Sequence, residues 1–78
     1  MTKGELHTYK GKKVVFKIVT SFPDLKVRFV SSFGDFKVKI SDSKSFAQTT
    51  INIKIVDSFP DVKLQKVSSF PDFEVYME

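Results

Sequence analysis

Among the side chains of this 78-residue sequence that could take part in metal binding or catalysis, aspartates recur at similar positions in a repeated phrase. Asp24, Asp35, Asp61 and Asp72 each follow a Ser-Phe-Pro or Ser-Phe-Gly triplet. Calcium takes several oxygen ligands, but no glycine-rich Asp-x-Asp spacing accompanies these aspartates. Aspartate after proline is typical of a turn, because its carboxylate accepts hydrogen bonds from nearby backbone. We therefore predict that the four aspartates are structural turn residues, with no bound metal or cofactor.

Groups that could support catalysis are isolated from the partners they would need. His7 is the only histidine and lies near Glu5 in a polar N-terminal segment, whereas acid–base and metal chemistry require further groups. The serines beside phenylalanine have no base and orienting group to activate them as nucleophiles. Phosphate-binding loops and dinucleotide fingerprints are also absent. We predict that the protein is not an enzyme.

The turn phrase that carries the aspartates is an internal repeat. Ser-Phe pairs begin at Ser21, Ser32, Ser45, Ser58 and Ser69, so the steps are 11, 13, 13 and 11 residues. Six segments between and around the turns alternate apolar with polar residues: 14–19, 25–30, 36–41, 51–56, 62–67 and 73–78. Alternation of period two with β-branched and aromatic residues predicts strands. The sequence therefore predicts an all-β protein of six strand units with a period of about 11 residues.

Two architectures satisfy this pattern. A Pro-Asp turn of type I splays twisted strands, which favours corners that lead into a second sheet. We therefore favour a small β-solenoid, with strands 1, 3 and 5 in one parallel sheet and strands 2, 4 and 6 in the other. The alternative is a six-stranded antiparallel meander or barrel. In both architectures Phe22, Phe33, Phe59 and Phe70 are expected to be buried at the corners.

A chain of this length allows one domain. Residues 1–13 are expected to form an N-terminal segment or cap, and residues 14–78 a single β-repeat domain. Residues 41–50 are expected to be an irregular insertion, because Ser-Phe is kept there while Pro-Asp is lost. No signal peptide is recognisable, so the cytoplasm is the expected compartment, with export without a cleaved leader as the alternative.

The phrase V-x-S-F-P-D-F-x-V resembles that of small uncharacterised bacterial proteins built from tandem Ser-Phe-Pro-Asp-Phe-Lys repeats. The likeness covers residues 14–78 and departs from the phrase at Gly34 and at Ala47-Gln48. It implies a repetitive β fold, and it implies no activity.

Charge separates the turns from the strands in this chain of net charge +4. Acidic residues cluster at the turns, and the outward strand positions are mostly basic. The candidate anion-binding face comprises Lys17, Lys26, Arg28, Lys37, Lys39, Lys54 and Lys63. Such a face suits nucleic acid, acidic polysaccharide or lipid headgroups. Tyr76 is the one aromatic expected among these cations, so base stacking is expected to be poor.

The function favoured by the sequence is a non-enzymatic structural or interaction module, and anion binding is the alternative. A small chain without cysteine gains from association, so we expect a homo-oligomer or another protein as partner, through sheet edges or apolar faces. The candidate edge comprises Lys66, Phe73, Val75, Tyr76 and Met77. Lys66 occupies an inward position, so we expect it at a rim, with its ammonium in water, blunting that edge.

Overall fold

The strands close into one barrel in which every neighbouring pair is parallel. The computed structural model describes residues 1–78 and has the strand order β1-β4-β2-β5-β3-β6. The elements are a 3-10 helix at Lys3–Tyr9, then β1 (Lys13–Ile18), β2 (Leu25–Val30), β3 (Phe36–Ile40), β4 (Thr50–Ile55), β5 (Val62–Lys66) and β6 (Phe73–Met77). The all-β prediction is confirmed.

Both predicted architectures are wrong, because the strands pair in a different way. Of the pairs that the solenoid required, β2–β4 and β3–β5 are present. The pairs β1–β4, β2–β5 and β3–β6 interleave the two expected sheets into one closed sheet. Period-two alternation specifies which side chains face inward and is the same in all three folds. It does not specify which strand is the neighbour.

The chain winds almost twice around the barrel axis. Strands β1, β2 and β3 occupy alternate positions of the barrel, and β4, β5 and β6 fill the gaps between them. The register repeats accordingly: Phe16 pairs with Ile51 and Val27 with Val62, a separation of 35 residues in both cases. The barrel therefore has approximate threefold symmetry, and each strand of the second turn lies beside its counterpart in the first.

The core consists of two inward side chains from every strand and one from the N-terminal helix. Leu6 of that helix is fully buried and lies beneath the amino ends of the strands. The Thr2 N–H donates to Glu5 Oε1 at 3.1 Å, which secures the start of this helix. The strand residues of the core are Val14, Phe16, Leu25, Val27, Phe36, Val38, Ile51, Ile53, Val62, Leu64, Phe73 and Val75.

Each corner crosses the strand that lies between the two strands it connects. In the corner from β4 to β5, the Val56 N–H donates to Val27 O at 2.9 Å and the Asp61 N–H to Lys26 O at 2.8 Å. Both acceptors belong to β2, and since the barrel interior is filled, the corner passes outside β2. The corners from β1 to β2 and from β5 to β6 are fixed in the same way to β4 and β3. The two turns of the chain are therefore interlaced.

The irregular segment 41–50 contains the one corner that must cross two strands. It leads from β3 past β6 and β1 to β4. The Ser41 N–H donates to Val75 O of β6 and the Gln48 N–H to Lys13 O of β1, both at 2.7 Å. Lys13 Nζ also donates to Ser43 O at 3.0 Å. The additional residues of this segment supply the extra distance.

The corner aspartates complete the strand ladder with their side chains. The Asp61 carboxylate accepts from the Lys26 N–H at 2.8 Å, at the point where β5 begins beside β2. In the equivalent bonds, the carboxylates of Asp72, Asp24 and Asp35 accept from the N–H groups of Lys37, Asn52 and Lys63, respectively. Backbone carbonyls replace the carboxylate at the two remaining junctions. There the Val15 N–H donates to Thr49 O and the Glu74 N–H donates to Lys12 O.

The predicted sheet edge is wrong, because a closed barrel has no unpaired strand. The last strand, β6, pairs with β1 on one side and β3 on the other. Phe73 and Val75 lie in the core, Tyr76 and Met77 are half-buried, and Lys66 is exposed. Nothing in the sequence of β6 indicated that this strand would pair with β1 and close the barrel.

We expect Asp61→Ala to lower the free energy of unfolding by about 1–2 kcal/mol, because the Lys26 N–H loses a charged acceptor at a partly hydrated site. Asp57→Ala is the matched control, since Asp57 lies in the same corner, is exposed and makes no hydrogen bond in the structure. Urea unfolding of both variants and of Asp61→Asn, which keeps an acceptor, measures the effect. Equal losses for Asp57→Ala and Asp61→Ala would contradict the ladder role.

Candidate functional site

The corner phenylalanines are exposed, so the prediction that Phe22, Phe33, Phe59 and Phe70 are buried is wrong. Their side chains and that of Phe46 are 92–96% exposed. All five have φ between 52° and 67°, in the left-handed region. A residue in this conformation at the apex of an outer corner directs its ring into solvent. The core is already filled from the strands and Leu6 and does not need these rings.

The backbone at these apexes is one that bulky residues rarely adopt. The left-handed conformation costs a residue with a Cβ about 1–2 kcal/mol, and glycine or asparagine adopts it more easily. Proline also favours an extended backbone at the residue before it, and Phe22, Phe59 and Phe70 depart from that preference. The phenylalanines therefore cost conformational energy and bury almost none of their own surface.

Four of these corners lie side by side on the barrel. The corner that contains Phe22 crosses β4, and those that contain Phe59, Phe33 and Phe70 cross β2, β5 and β3. These four strands are consecutive in the barrel. The outward side chains of the same strands carry six exposed cations. We call this surface the corner belt: Phe22, Phe33, Phe59 and Phe70 with Lys26, Arg28, Lys37, Lys39, Lys54 and Lys63.

Two of the four corners in the corner belt, those of Phe59 and Phe70, cross a strand between two cations, and the other two cross beside one cation each. The corner of Phe59 is bonded to the carbonyls of Lys26 and Val27. Val27 points into the core, so the exposed Lys26 and Arg28 lie on either side of the crossing. The corner of Phe70 crosses β3 in the same way, between Lys37 and Lys39.

The cations of the corner belt form no ion pair within the chain, although Lys39 is the register partner of the acidic Glu74. Lys26 is the register partner of Lys54, and Arg28 that of Lys63, so like charges face each other across two strand pairs. The one ion pair in the structure joins Lys3 Nζ to Asp35 Oδ1 at 3.4 Å and lies outside this set of cations. The corner carboxylates face backbone amides instead.

Of the seven cations predicted to bind anions, the structure brings six together in the corner belt. Lys17 lies on β1, beyond the belt, with Asn52 as its register partner. Like-charge partners across a strand pair are destabilising. An anionic ligand would remove that repulsion.

A pocket of about 410 Å³ lies at one end of the corner belt, beside Phe70. Its lining includes two lysines, two serines, two phenylalanines and two half-buried acidic residues: Lys12, Lys39, Ser68, Ser69, Phe70, Phe73, Asp72 and Glu74. The sequence analysis missed Lys12 and the serines as a group, because they come together only where β6 lies beside β1 and β3.

Metal binding has no comparable site. No three histidine, aspartate or glutamate side chains converge to hold an ion. His7 packs against Phe36, with a ring-centroid distance of 4.9 Å.

A second surface lies at the carboxyl ends of the strands, where the third inward position of each strand is not covered. Ile18, Ile40 and Ile55 are 38–50% exposed there. Lys66 Nζ lies 4.7 Å from the centroid of the Phe29 ring. We call this surface the carboxyl rim: Ile18, Phe29, Ile40, Ile55, Lys66 and Met77.

The fold and site define a small all-β barrel protein with an aromatic and basic outer surface. No protein-family model matches the chain. Over 49 residues it is 66% identical to "Uncharacterized protein UU089.1" of Ureaplasma parvum serovar 3; the match covers 63% of this chain and 55% of that protein. The chain thus spans about half the length of that bacterial relative, whose name gives no activity. No helix of the structure has the length and apolar character to cross a membrane.

We expect Phe59→Gly to leave the free energy of unfolding unchanged or to raise it by up to about 1 kcal/mol, because glycine relieves the left-handed strain and no core contact is lost. The same change at the buried Phe73 should cost at least about 3 kcal/mol. Urea unfolding of both variants makes the comparison. A loss of about 3 kcal/mol at Phe59 would mean that its ring is part of the core.

Proposed function

We propose that the protein is a non-enzymatic module that binds anionic polymers through the corner belt. The observation that carries the proposal is the set of six exposed cations on four neighbouring strands, with like charges paired across two of the strand junctions. Positive charge held on one surface attracts a polyanion and is stabilised by it.

A rigid scaffold supports this role. Each of these cations stands next to at least one buried inward residue, as Lys26 and Arg28 do on either side of Val27. Their backbones are held by ladder bonds on both sides, so the Cα positions of the charged residues keep a fixed spacing in the free protein. Less ordering is then required when a ligand binds.

Binding should weaken steeply with salt, because each neutralised anionic group releases counterions. We expect Lys26→Ser, Arg28→Ser and Lys63→Ser together to lower affinity at least about tenfold at 50 mM salt and to reduce the log–log salt slope by about 2–3. Fluorescence anisotropy with a labelled oligonucleotide and a labelled sulfated polysaccharide measures both quantities.

The matched control removes three exposed cations outside the corner belt: Lys10→Ser, Lys17→Ser and Lys44→Ser. It has the same net charge as the belt variant and should lose less than about threefold in affinity. An equal loss in both triple variants would show that net charge alone acts. Failure of the natural protein to bind either polymer at 50 mM salt would refute the proposal.

Self-association through the carboxyl rim is a second candidate function. The exposed isoleucines at this end support it, because they form an apolar surface with a single charge, that of Lys66. Such surfaces are common at interfaces between copies of a chain. In this candidate function, two copies of the chain associate through their apolar carboxyl rims, and no sheet edge takes part in the contact.

Ile55→Lys should shift an assembly formed in this way towards the monomer, because it places a second charge in the apolar surface at the position equivalent to Lys66. Light scattering across a dilution series measures the mass, with Thr50→Lys as a control of equal charge outside the carboxyl rim. A monomeric mass for the natural protein from micromolar to millimolar concentration would contradict this candidate.

A further inference from the structure

The anionic polymer can be specified further, on the basis of the proposed function above. We infer that it is a single-stranded nucleic acid whose bases stack on the exposed phenylalanines of the corner belt. Three properties of the surface lead to this ligand: the strained exposure of the rings, the cations beside each corner, and the distribution of the rings around the barrel.

The rings are placed at an energetic cost that the fold does not recover. Phe59 has a φ of 53° and is 92% exposed, where glycine would make the same corner without strain. Phe22, Phe33 and Phe70 repeat this arrangement. Strain of this kind, maintained at equivalent positions, points to a contact outside the chain.

Single-stranded nucleic acid offers both groups that the corner belt would contact. Its bases present flat faces that stack on aromatic side chains, and its phosphates pair with cations between them. The corner of Phe59 lies between Lys26 and Arg28, and the corner of Phe70 lies between Lys37 and Lys39. A sulfated polysaccharide has the charge without the flat faces, and a duplex encloses the faces of its bases.

The distribution of the rings favours a flexible polymer over a membrane. The corners of Phe22, Phe59, Phe33 and Phe70 follow one another across β4, β2, β5 and β3. Because those strands form part of a closed barrel, the rings diverge and cannot all enter one lipid plane. The corners lie on adjacent strands, so a flexible polymer can follow them around the barrel, whereas a rigid or flat ligand cannot.

The pocket beside Phe70 suits one nucleotide of such a strand. Its volume of about 410 Å³ lies within the range of small-ligand sites. Lys12 and Lys39 supply ammonium groups for a phosphate, and Ser68 and Ser69 supply hydroxyl donors. Glu74 on the same wall can accept a hydrogen bond from an exocyclic amine of a base.

The test compares labelled ligands of equal length by fluorescence anisotropy: a 12-nucleotide single strand of mixed sequence, an abasic strand, a duplex and a sulfated polysaccharide. Anionic lipid vesicles are measured by co-sedimentation. We expect the base-bearing strand to bind at least about tenfold more tightly than the abasic strand, since stacking on one ring contributes about that factor or more. The duplex and the polysaccharide should bind no better than the abasic strand.

The variants isolate the rings from the charges. Phe59→Gly with Phe70→Gly should lower affinity for the base-bearing strand about a hundredfold and leave the salt slope unchanged. Phe59→Tyr with Phe70→Tyr, which keeps two flat rings, should bind within about threefold of the natural protein. Phe46→Gly, in the corner outside the belt, should have no effect, and urea unfolding verifies that each variant is folded.

Equal binding of the base-bearing and abasic strands, or a preference for vesicles, would overturn the inference and leave polyanion binding intact. Loss of affinity in the tyrosine variant equal to that in the glycine variant would also overturn it. Failure to bind every polyanion would refute the proposed function itself. Binding of the abasic strand thus distinguishes failure of the stacking inference from failure of the proposed function.

Discussion

A parallel barrel with short corners must supply an acceptor for the first amide of each strand junction, and the rest of this structure depends on how that demand is met. The carboxylate of Asp61 reaches the Lys26 N–H at 2.8 Å, and three other corners repeat the bond. A buried or half-buried amide without a partner costs more than most single contacts contribute. The position of the aspartate therefore fixes the path of the corner, and the path of the corner fixes which strands are neighbours.

This constraint separates the residues that stabilise the barrel from those that face the solvent. The inward positions close the core, and the corner aspartates close the ladder. The apex phenylalanine takes part in neither and stands in solvent. Such a division lets the outer surface change without disturbing the barrel, which is the usual relation between a scaffold and the loops that carry function.

The sequence predicted much of this fold, and its failures have identifiable physical causes. Alternation specified six strands and the inward residues, and proline followed by aspartate indicated the turns. Strand partners were missed because alternation is independent of which strand lies alongside. Burial of the corner rings was wrong because hydrophobicity was taken to imply core, although the apex backbone of Phe59 directs its ring outward. The basic residues were found from sequence, whereas their separation into six belt cations and Lys17 required the order of the strands.

The interlaced course of the chain has a consequence for how the molecule forms and comes apart. The corner from β1 to β2 passes outside β4, and the corner from β4 to β5 passes outside β2, so each half of the chain lies beneath an arch made by the other. Local fluctuation cannot separate the halves; a terminus has to be drawn through the arches in sequence. Neighbouring strands are also distant in the chain, which slows folding in itself. The need to withdraw an end of the chain is therefore expected to slow unfolding, in addition to the stability that comes from the free energy of unfolding.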